Sequence, residues 1–506
     1  MHGSLCWHEC PAMTKKLKPT PDQYRIVQEI ISVIADGSAK SMSLMGPAGS
    51  GKTFTLSFLA EEIMKTYGKE AVVFIAPTHK AAREIRVKLP SGMRRPGGVV
   101  TIHSFVGSSS KRVRDEEKFS DPDVDDIHKK AAKLNKSLKA VVVDESSMVS
   151  QEYADFVDQV CQHANEMSGQ DILVIYTGDP YQLPPISKKK KADDGDAYSG
   201  DLEYSPHMCD QFTNNEFNLR LTEVLRHDGK IFEIATSIRN NFKGDNTLAG
   251  LDGISGGSRI KTYQDELEWK KDLVEAIRKN PANAKALCFM NSSCKDLTKF
   301  VRRKIYGKEA AFSWIQGERI IFPKYTRTIN PGPSHISNSN SVIHSCTSAT
   351  VESCETETDL LFVLGPFDYV TPKLKIERTF EEHIYCDVQR LVVMTDQGYR
   401  HHLVCPTFAA EPKFREQVSS LRGKISRLEK DGHIDKNHEL WTQIQQMKEC
   451  LPAIYSDSVM TVHNSQGSTF EKVFLHRDIE HCRSDFRNSL LYVALTRASK
   501  AVCALV

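Results

Sequence analysis

The chain has 506 residues, and about 100–200 residues per domain implies three or four domains. It is 40% hydrophobic and 26% charged, the composition of an ordinary globular protein, and it is long enough to bury more than one core. A net charge of only +2 excludes a polybasic field over the whole surface, so any nucleic-acid partner must be held by a local groove.

No apolar run reaches the ~18 residues of a membrane span, and the N-terminus lacks the long apolar stretch of a signal peptide. The 13 cysteines show no C-x-x-C pair, which argues for reduced thiols in a cytosol-like compartment rather than a zinc ribbon. Cys6, His8 and Cys10 sit together near the start, a weak metal-binding pattern. Met13 opens text that fits the rest of the chain better, so residues 1–12 are left out of fold reasoning.

Apolar residues at Ile26, Val27, Ile30, Ile31 and Ile34 predict a helix over Asp22–Ile34, started by Pro21. Ser41–Met45 reads as a short strand, then a glycine-rich turn, then a helix over Lys52–Tyr67. Val72–Ala76, Lys139–Val143 and Ile172–Thr177 read as buried strands, and strands alternating with helices predict a parallel sheet. The polar stretch Ser108–Lys139 interrupts this alternation as a small insertion. A strand at Ala286–Met290 and a helix at Lys295–Tyr306 open a second α/β unit. A β-leaning segment over Ile320–Leu403 contains a Ser/Thr-rich stretch, Asn330–Thr358, expected to be an exposed loop. Two helices over Lys413–Cys450, broken at Asp431-Gly432, precede the return of α/β text after Met460.

The chemistry begins at Gly46, Pro47, Ala48, Gly49, Ser50, Gly51, Lys52 and Thr53, a full G-x-x-x-x-G-K-T match between a strand and a helix. Its backbone N–H groups and helix N-terminus suit phosphate, Lys52 can reach the β- and γ-phosphates, and the Thr53 hydroxyl can ligate Mg²⁺. The strand ending in V-V-V-D-E-S-S delivers Asp144 as a candidate metal ligand and Glu145 as a candidate base for water. In G-D-P-Y-Q-L-P-P, Gln182 can sense the γ-phosphate; Arg226 and Arg497 are candidate guanidinium groups for charge developing in phosphoryl transfer, though either alone reads more often as a surface ion pair.

Taken in order, G-P-A-G-S-G-K-T, A-P-T-H-K-A-A, T-I-H-S-F, V-V-D-E-S-S-M, G-D-P-Y-Q-L-P-P, L-T-E-V-L-R, T-V-H-N-S-Q-G and Y-V-A-L-T-R resemble the superfamily 1 helicases of the 5′-to-3′ branch. The resemblance runs from about Thr20 to Val506. It implies an α/β fold of two RecA-like P-loop domains with parallel sheets and ATP in the cleft between them. The expected division is an N-terminal extension over 1–19, a first domain over 20–107 and 140–284, a pin-type insertion over 108–139, a second domain over 285–324 and 451–506, and an SH3-like insertion with a helical tower over 325–450.

By the same resemblance Gln23 reads adenine, Phe54 and Gly467 join the nucleotide contacts, and Arg226 and Arg497 reach the γ-phosphate. Pro77, Thr78, His79, Lys80, Thr101, His103, Thr461, His463 and Gln466 fall on DNA-contacting motifs. Their polar groups can bond phosphate or sugar without reading bases. Asn464 stands where the family commonly has lysine, and Thr469 where it commonly has an acidic residue. Phe119 is the aromatic candidate for a strand-separating wedge, with a plain surface loop as the alternative; Lys188–Lys191 reads either as a DNA contact or as a solvated loop.

The implied activity is ATP- and Mg²⁺-dependent 5′-to-3′ translocation on single-stranded DNA with unwinding at duplex junctions, in replication, recombination or repair. The expected setting is a monomer in the cytoplasm, or in the host cytoplasm for a phage protein, working beside single-strand-binding or replication proteins. An RNA helicase of the same superfamily and a RecD-like subunit of a nuclease complex are the alternatives, because groups that hold phosphates do not by themselves distinguish the sugar.

Overall fold

The structure, a computed structural model, describes residues 18–506 except 109, 114–115, 120, 184–216, 224–229, 243, 245, 255–258, 324–325, 329–341, 346, 371–375, 450–451 and 483. Three larger sheets organise it.

The first is six-stranded and wholly parallel, in the order Val99–Thr101, Val72–Ala76, Ala140–Val143, Leu173–Gly178, Ser41–Met45, Asn218–Arg220. Both faces are covered, which explains why its strands read as unbroken apolar runs. Phe74, Val142 and Ile175 point to a core shared with helices Pro21–Asp36 and Lys52–Tyr67. Their neighbours Ile75, Val141, Val143 and Val174 point to the opposite core, under helices Val124–Lys133 and Gln151–Ser168. The first helix starts at a capping box, with Thr20 and Gln23 each bonding the other's backbone N–H, and stops at left-handed Gly37.

The second sheet is five-stranded and also parallel, in the order Val459–Thr461, Ala284–Cys288, Phe470–Leu475, Ala498–Leu505, Ile260–Tyr263. Leu287, Val473 and Val502 face helices Lys230–Asn240 and Ser484–Thr496, while Ala286, Phe474 and Cys503 face helices Glu266–Lys279 and Asn291–Tyr306. This moves the expected boundary. Residues 230–279, assigned with the first domain, pack with the second sheet, because the short strand Ile260–Tyr263 pairs with Ala498–Leu505 far along the chain.

The third sheet is antiparallel, in the order Arg400–Pro406, Glu377–Thr395, Thr347–Val370, Arg319–Phe322, Tyr455–Ser456. It begins before the expected 325 and ends after 450, since Arg319–Phe322 and Tyr455–Ser456 pair to close its base. The expected loop over Asn330–Thr358 is half corrected: 329–341 lie outside the described residues, but Thr347–Thr358 is strand. Its threonines are β-branched, and Thr347, Ala349 and Val351 alternate inward while the polar residues between them are less buried. Helices Glu411–Lys430 and Glu439–Glu449 cover one face of the long hairpin through Phe414, Leu421, Ile425, Trp441 and Ile444. The insertion expected over 108–139 is a hairpin, Ser110–Val113 with Glu116–Phe119, followed by helix Val124–Lys133. Among the described residues no helix is long and apolar enough to cross a membrane.

Two buried ionic groups fix the third sheet to the second. Lys285 and Arg319 share Asp457 at 2.9 and 3.2 Å, and Arg319 also grips Asp396. Arg302 bonds both carboxylate oxygens of Glu318 at 2.6 and 2.9 Å and the carbonyls of Ala310 and Ser313, its guanidinium lying over Trp314. Burial still pushes the Glu318 carboxyl above its usual range. Removing one partner of such a pair strands the other, at a cost of about 3–5 kcal/mol. Arg302→Leu is therefore expected to lower the thermal melting temperature markedly, with Arg302→Lys restoring only part because it cannot make the forked contact; a melting temperature within a degree or so of wild type would contradict this reading.

Candidate nucleotide and nucleic-acid site

The phosphate loop joins strand Ser41–Met45 to helix Lys52–Tyr67. Gly51 caps that helix at φ 82°, a left-handed value that a Cβ disfavours. Lys52 is buried and its Nζ donates to the loop carbonyls of Gly46 at 2.6 Å and Pro47 at 3.2 Å. The Ser50 hydroxyl is buried without a hydrogen-bond partner. Thr53 and Phe54 follow, half-buried, in the first turn of the helix. Gln23, buried, spends its carbonyl on the Thr20 N–H and reaches the Ser50 carbonyl with its amide at 3.5 Å.

Strand Leu173–Gly178 lies between the phosphate-loop strand and the strand that ends at Asp144, so its end is tied on both sides. Gly46 N–H donates to the Gly178 carbonyl at 3.2 Å, and the Ser146 hydroxyl to the Thr177 carbonyl at 2.9 Å. Gly178 has no room for a side chain: a Cβ would stand 3.0 Å from the Ser146 hydroxyl. Asp144 is buried and accepts the Glu145 N–H at 2.9 Å. Burial, then the Glu145 charge, push its carboxyl up to about 7. Glu145 is held at φ 50°, a strained position for a non-glycine residue, and its Oε2 is buried without a partner, as are the hydroxyls of Ser147 and Thr177. Buried polar atoms are nearly always paired, so this cluster of orphans at one sheet edge marks a place built for a polar ligand. Gln182 is buried in the adjoining turn, which closes through its N–H to the Asp179 carbonyl.

Helix Ser484–Thr496 faces the loop from the second sheet. Arg497, just past its end, is buried, its guanidinium on the carbonyls of Val493 and Ser468 and the Thr496 hydroxyl. Gly467 backs onto Glu84, whose Oε2 would lie 3.2 Å from a Cβ there; burial raises that carboxyl above its usual range. The amide nitrogen of buried Gln466 has no partner. Arg226 lies outside the described residues, as do Lys188–Lys191, Cys6, His8 and Cys10, and the Phe119 side chain.

The residues matched to DNA contacts share one local design. Thr101 and Thr461 each end a parallel strand, Thr78 follows one by two residues, and all three cap the next helix, accepting the N–H of Ser104, Asn464 and Ala81. Each cap puts a histidine, His79, His103 or His463, in the first turn of that helix, where backbone N–H groups favour anions. Pro77 precedes the first of them, half-buried. The two halves touch here: Lys80 Nζ donates to the Asn464 carbonyl at 3.0 Å.

Sequence comparison adds the family. The profile of the AAA domain matches residues 28–188 and that of the UvrD-like helicase C-terminal domain matches 458–505. An uncharacterized protein of Acanthamoeba polyphaga mimivirus is 24% identical over 94% of this chain and 98% of its own length. The ATP-dependent DNA helicase dda of Enterobacteria phage T4 is 23% identical over 90% of this chain and 92% of its own. The chain thus carries an AAA domain and a UvrD-like helicase C-terminal domain and is similar along most of its length to a phage ATP-dependent DNA helicase. A Pif1 helicase from Bacteroides, solved with ADP-AlF3 and single-stranded DNA, superposes with a TM-score of 0.48 at 16% identity, covering 94% of this chain and 91% of that one.

Helicase motifs alone did not single out Tyr492, Asp179 or Glu84, which face the cleft from three segments. Cys288, His476 and Asp478 also converge, but Asp478 already accepts the Phe289 and Met290 N–H groups at 2.9 Å each, which accounts for its burial.

Burial pushes His463 down to about 4, so it is neutral near pH 7 and can serve a backbone contact by hydrogen bonding rather than charge. An unfolded histidine titrates near roughly 6.5. Between those values the unfolded chain binds a proton that the folded chain does not, so this contribution to stability is complete above about pH 6.5 and is lost as pH falls toward about 4. His463→Asn is expected to flatten the decline of melting temperature from pH 7 to 4.5; an unchanged slope would contradict the assignment.

Proposed function

We propose that the chain is an ATP-dependent DNA helicase that moves 5′ to 3′ on single-stranded DNA and opens duplex junctions. The observation that carries this is the phosphate loop with its unpartnered buried polar atoms, met from the second sheet by Tyr492, which bonds the loop five residues before Arg497. The helicase names of the relatives and the strand-capping threonines support DNA as the track.

Mg²⁺ fits the residues present. Asp144 is buried with its carboxyl raised, the condition that a cation relieves, and Thr53 stands at the start of the facing helix. Thr53 and Asp144 would hold the ion, which supplies charge neutralisation on the phosphates. Lys52 and the loop amides grip the phosphates, Glu145 orients the attacking water, Gln182 reports the γ-phosphate to the neighbouring groove, and Arg226 and Arg497 offset the charge that develops as the terminal phosphoryl leaves. Gln23 and Phe54 support the adenine end, and Gly467 lets the second half come close. Each cycle of closing and opening shifts one half's grip on the strand: Thr78, His79, Lys80, Thr101 and His103 on one side, Thr461, His463 and Gln466 on the other. Such contacts to sugar and phosphate suit a motor indifferent to sequence. Residues 108–139, with Phe119, are the candidate strand-separating element. We take the motor to be a monomer acting where single-strand-binding and replication proteins act.

Partial duplexes with a 5′ or a 3′ single-stranded tail test this, with ATP and Mg²⁺ present. Unwinding of the 5′-tailed duplex alone is expected. Glu145→Gln is expected to abolish it while lowering DNA-stimulated hydrolysis by at least about 100-fold, and an RNA tail is expected to stimulate hydrolysis far less than DNA. Unwinding from the 3′ tail would overturn the polarity, and equal stimulation by RNA would overturn the choice of track.

A further inference from the structure

Tyr492 stands on helix Ser484–Thr496 of the second sheet, but its hydroxyl ends inside the first. It accepts the Ala48 N–H of the phosphate loop at 3.0 Å and donates to Asp179 Oδ2 at 2.6 Å. The chain separations are 444 and 313 residues, so one hydroxyl joins three distant segments. Asp179 and Tyr492 are both buried, and a hydrogen bond to a buried charged group is among the stronger kinds. Burial, then the Asp179 charge, hold the phenol far above its usual range, so it remains a donor at any physiological pH.

The turn that carries Asp179 is held a second time from the same side. Asp179 Oδ1 accepts the Tyr181 N–H at 3.2 Å; the Tyr181 ring lies under the Arg239 guanidinium at 4.9 Å and meets the edge of Phe242 at 5.1 Å. Arg239 and Phe242 belong to the segment that packs with the second sheet. The turn is bonded to the phosphate loop from behind, through Gly46 and Gly178. Arg497 follows the helix of Tyr492 directly, five residues along, where its guanidinium bonds the carbonyls of Val493 and Ser468 and interacts with the Glu84 charge of the first half.

We propose that Tyr492 is a positioning residue for ATP hydrolysis, a latch between the halves that keys helix Ser484–Thr496 to the phosphate loop and to the Asp179 turn and so sets where Arg497 meets the γ-phosphate. The proposal rests on the ATPase reading above. A residue with this role acts on turnover more than on binding. Its loss leaves the loop, Lys52 and the acid pair intact, but lets the arginine helix settle out of register, and a misplacement of about 1 Å can cost up to 10²-fold in rate.

The test compares wild type, Tyr492→Phe, Asp179→Ala and the double variant in ATP hydrolysis with a saturating single-stranded DNA oligomer, alongside Lys52→Ala. Hydrogen exchange of segments 46–51 and 484–496 is followed without nucleotide, and thermal melting checks that each variant is folded. Tyr492→Phe is expected to lower kcat by roughly tenfold while the KM for ATP stays within about twofold. The double variant is expected to lose less than the two single losses combined, because both substitutions remove the shared Tyr492–Asp179 bond. Exchange in both segments is expected to quicken in Tyr492→Phe. An unchanged kcat, purely additive losses, or a loss that appears in KM alone would overturn the latch. If wild type does not hydrolyse ATP, the ATPase reading fails by itself, and the exchange measurement still decides the contact: unchanged protection in Tyr492→Phe overturns it.

Discussion

Parallel strands all end on the same side, and that constraint governs the rest of the molecule. In open α/β sheets ligands bind beyond the carboxyl ends of the strands, where loops and helix N-termini gather. Here the phosphate loop, the Asp144-Glu145 turn, the Asp179 turn and the Thr78 and Thr101 caps follow five adjacent strands of one sheet. The strand order matters as much as the direction. Because Leu173–Gly178 separates the phosphate-loop strand from the acid strand, the turn it leads into touches both. Bonded at its root through Gly178 and Thr177, that turn has its free side toward the second sheet, from which Tyr492 and Arg239 reach it.

The repeated strand–threonine–helix device reconciles a near-neutral chain with a polyanionic partner. A cap that also orients a helix N-terminus supplies partial positive charge from the backbone itself, without a basic surface. The device appears in both sheets, at Thr78 and Thr101 on one and Thr461 on the other. The Lys80–Asn464 contact, made to a main-chain carbonyl, places the caps of the two halves beside one another.

Much of this was legible in the sequence where the signal is local. Ser41–Met45, Val72–Ala76 and Lys52–Tyr67 came out at their observed limits, because a run that is apolar on both faces, a glycine-rich turn and a helical period lie within a few residues of one another. The phosphate loop and the acid pair were legible for the same reason. What depends on distant pairing was not. Ile260–Tyr263 gives no local sign that its partner is Ala498–Leu505, so the division between halves was drawn some fifty residues late. Thr347–Thr358 read as loop because serine and threonine dominate its composition, although alternation and a partner strand make it sheet. Tyr492 was visible inside a motif but had no assigned role, since its role is a relation to Ala48 and Asp179 and no single segment contains it.

The third sheet follows from the same bookkeeping of strong and weak contacts. Toward the second sheet it is anchored by Lys285, Asp457, Arg319 and Asp396, the first two nearly inaccessible, with Arg302 and Glu318 beside them. Breaking a buried pair costs about 3–5 kcal/mol, far above thermal energy. Toward the first sheet the contacts include a charge-assisted hydrogen bond from Arg83 to Thr347, worth about 1.5–3 kcal/mol, and the stacking of His79 on His344. The insertion is thus anchored to the second half through buried ion pairs, while its edge also meets the helix that carries His79 and Lys80. That helix is therefore met twice from the other side, once by Asn464 through Lys80 and once by His344.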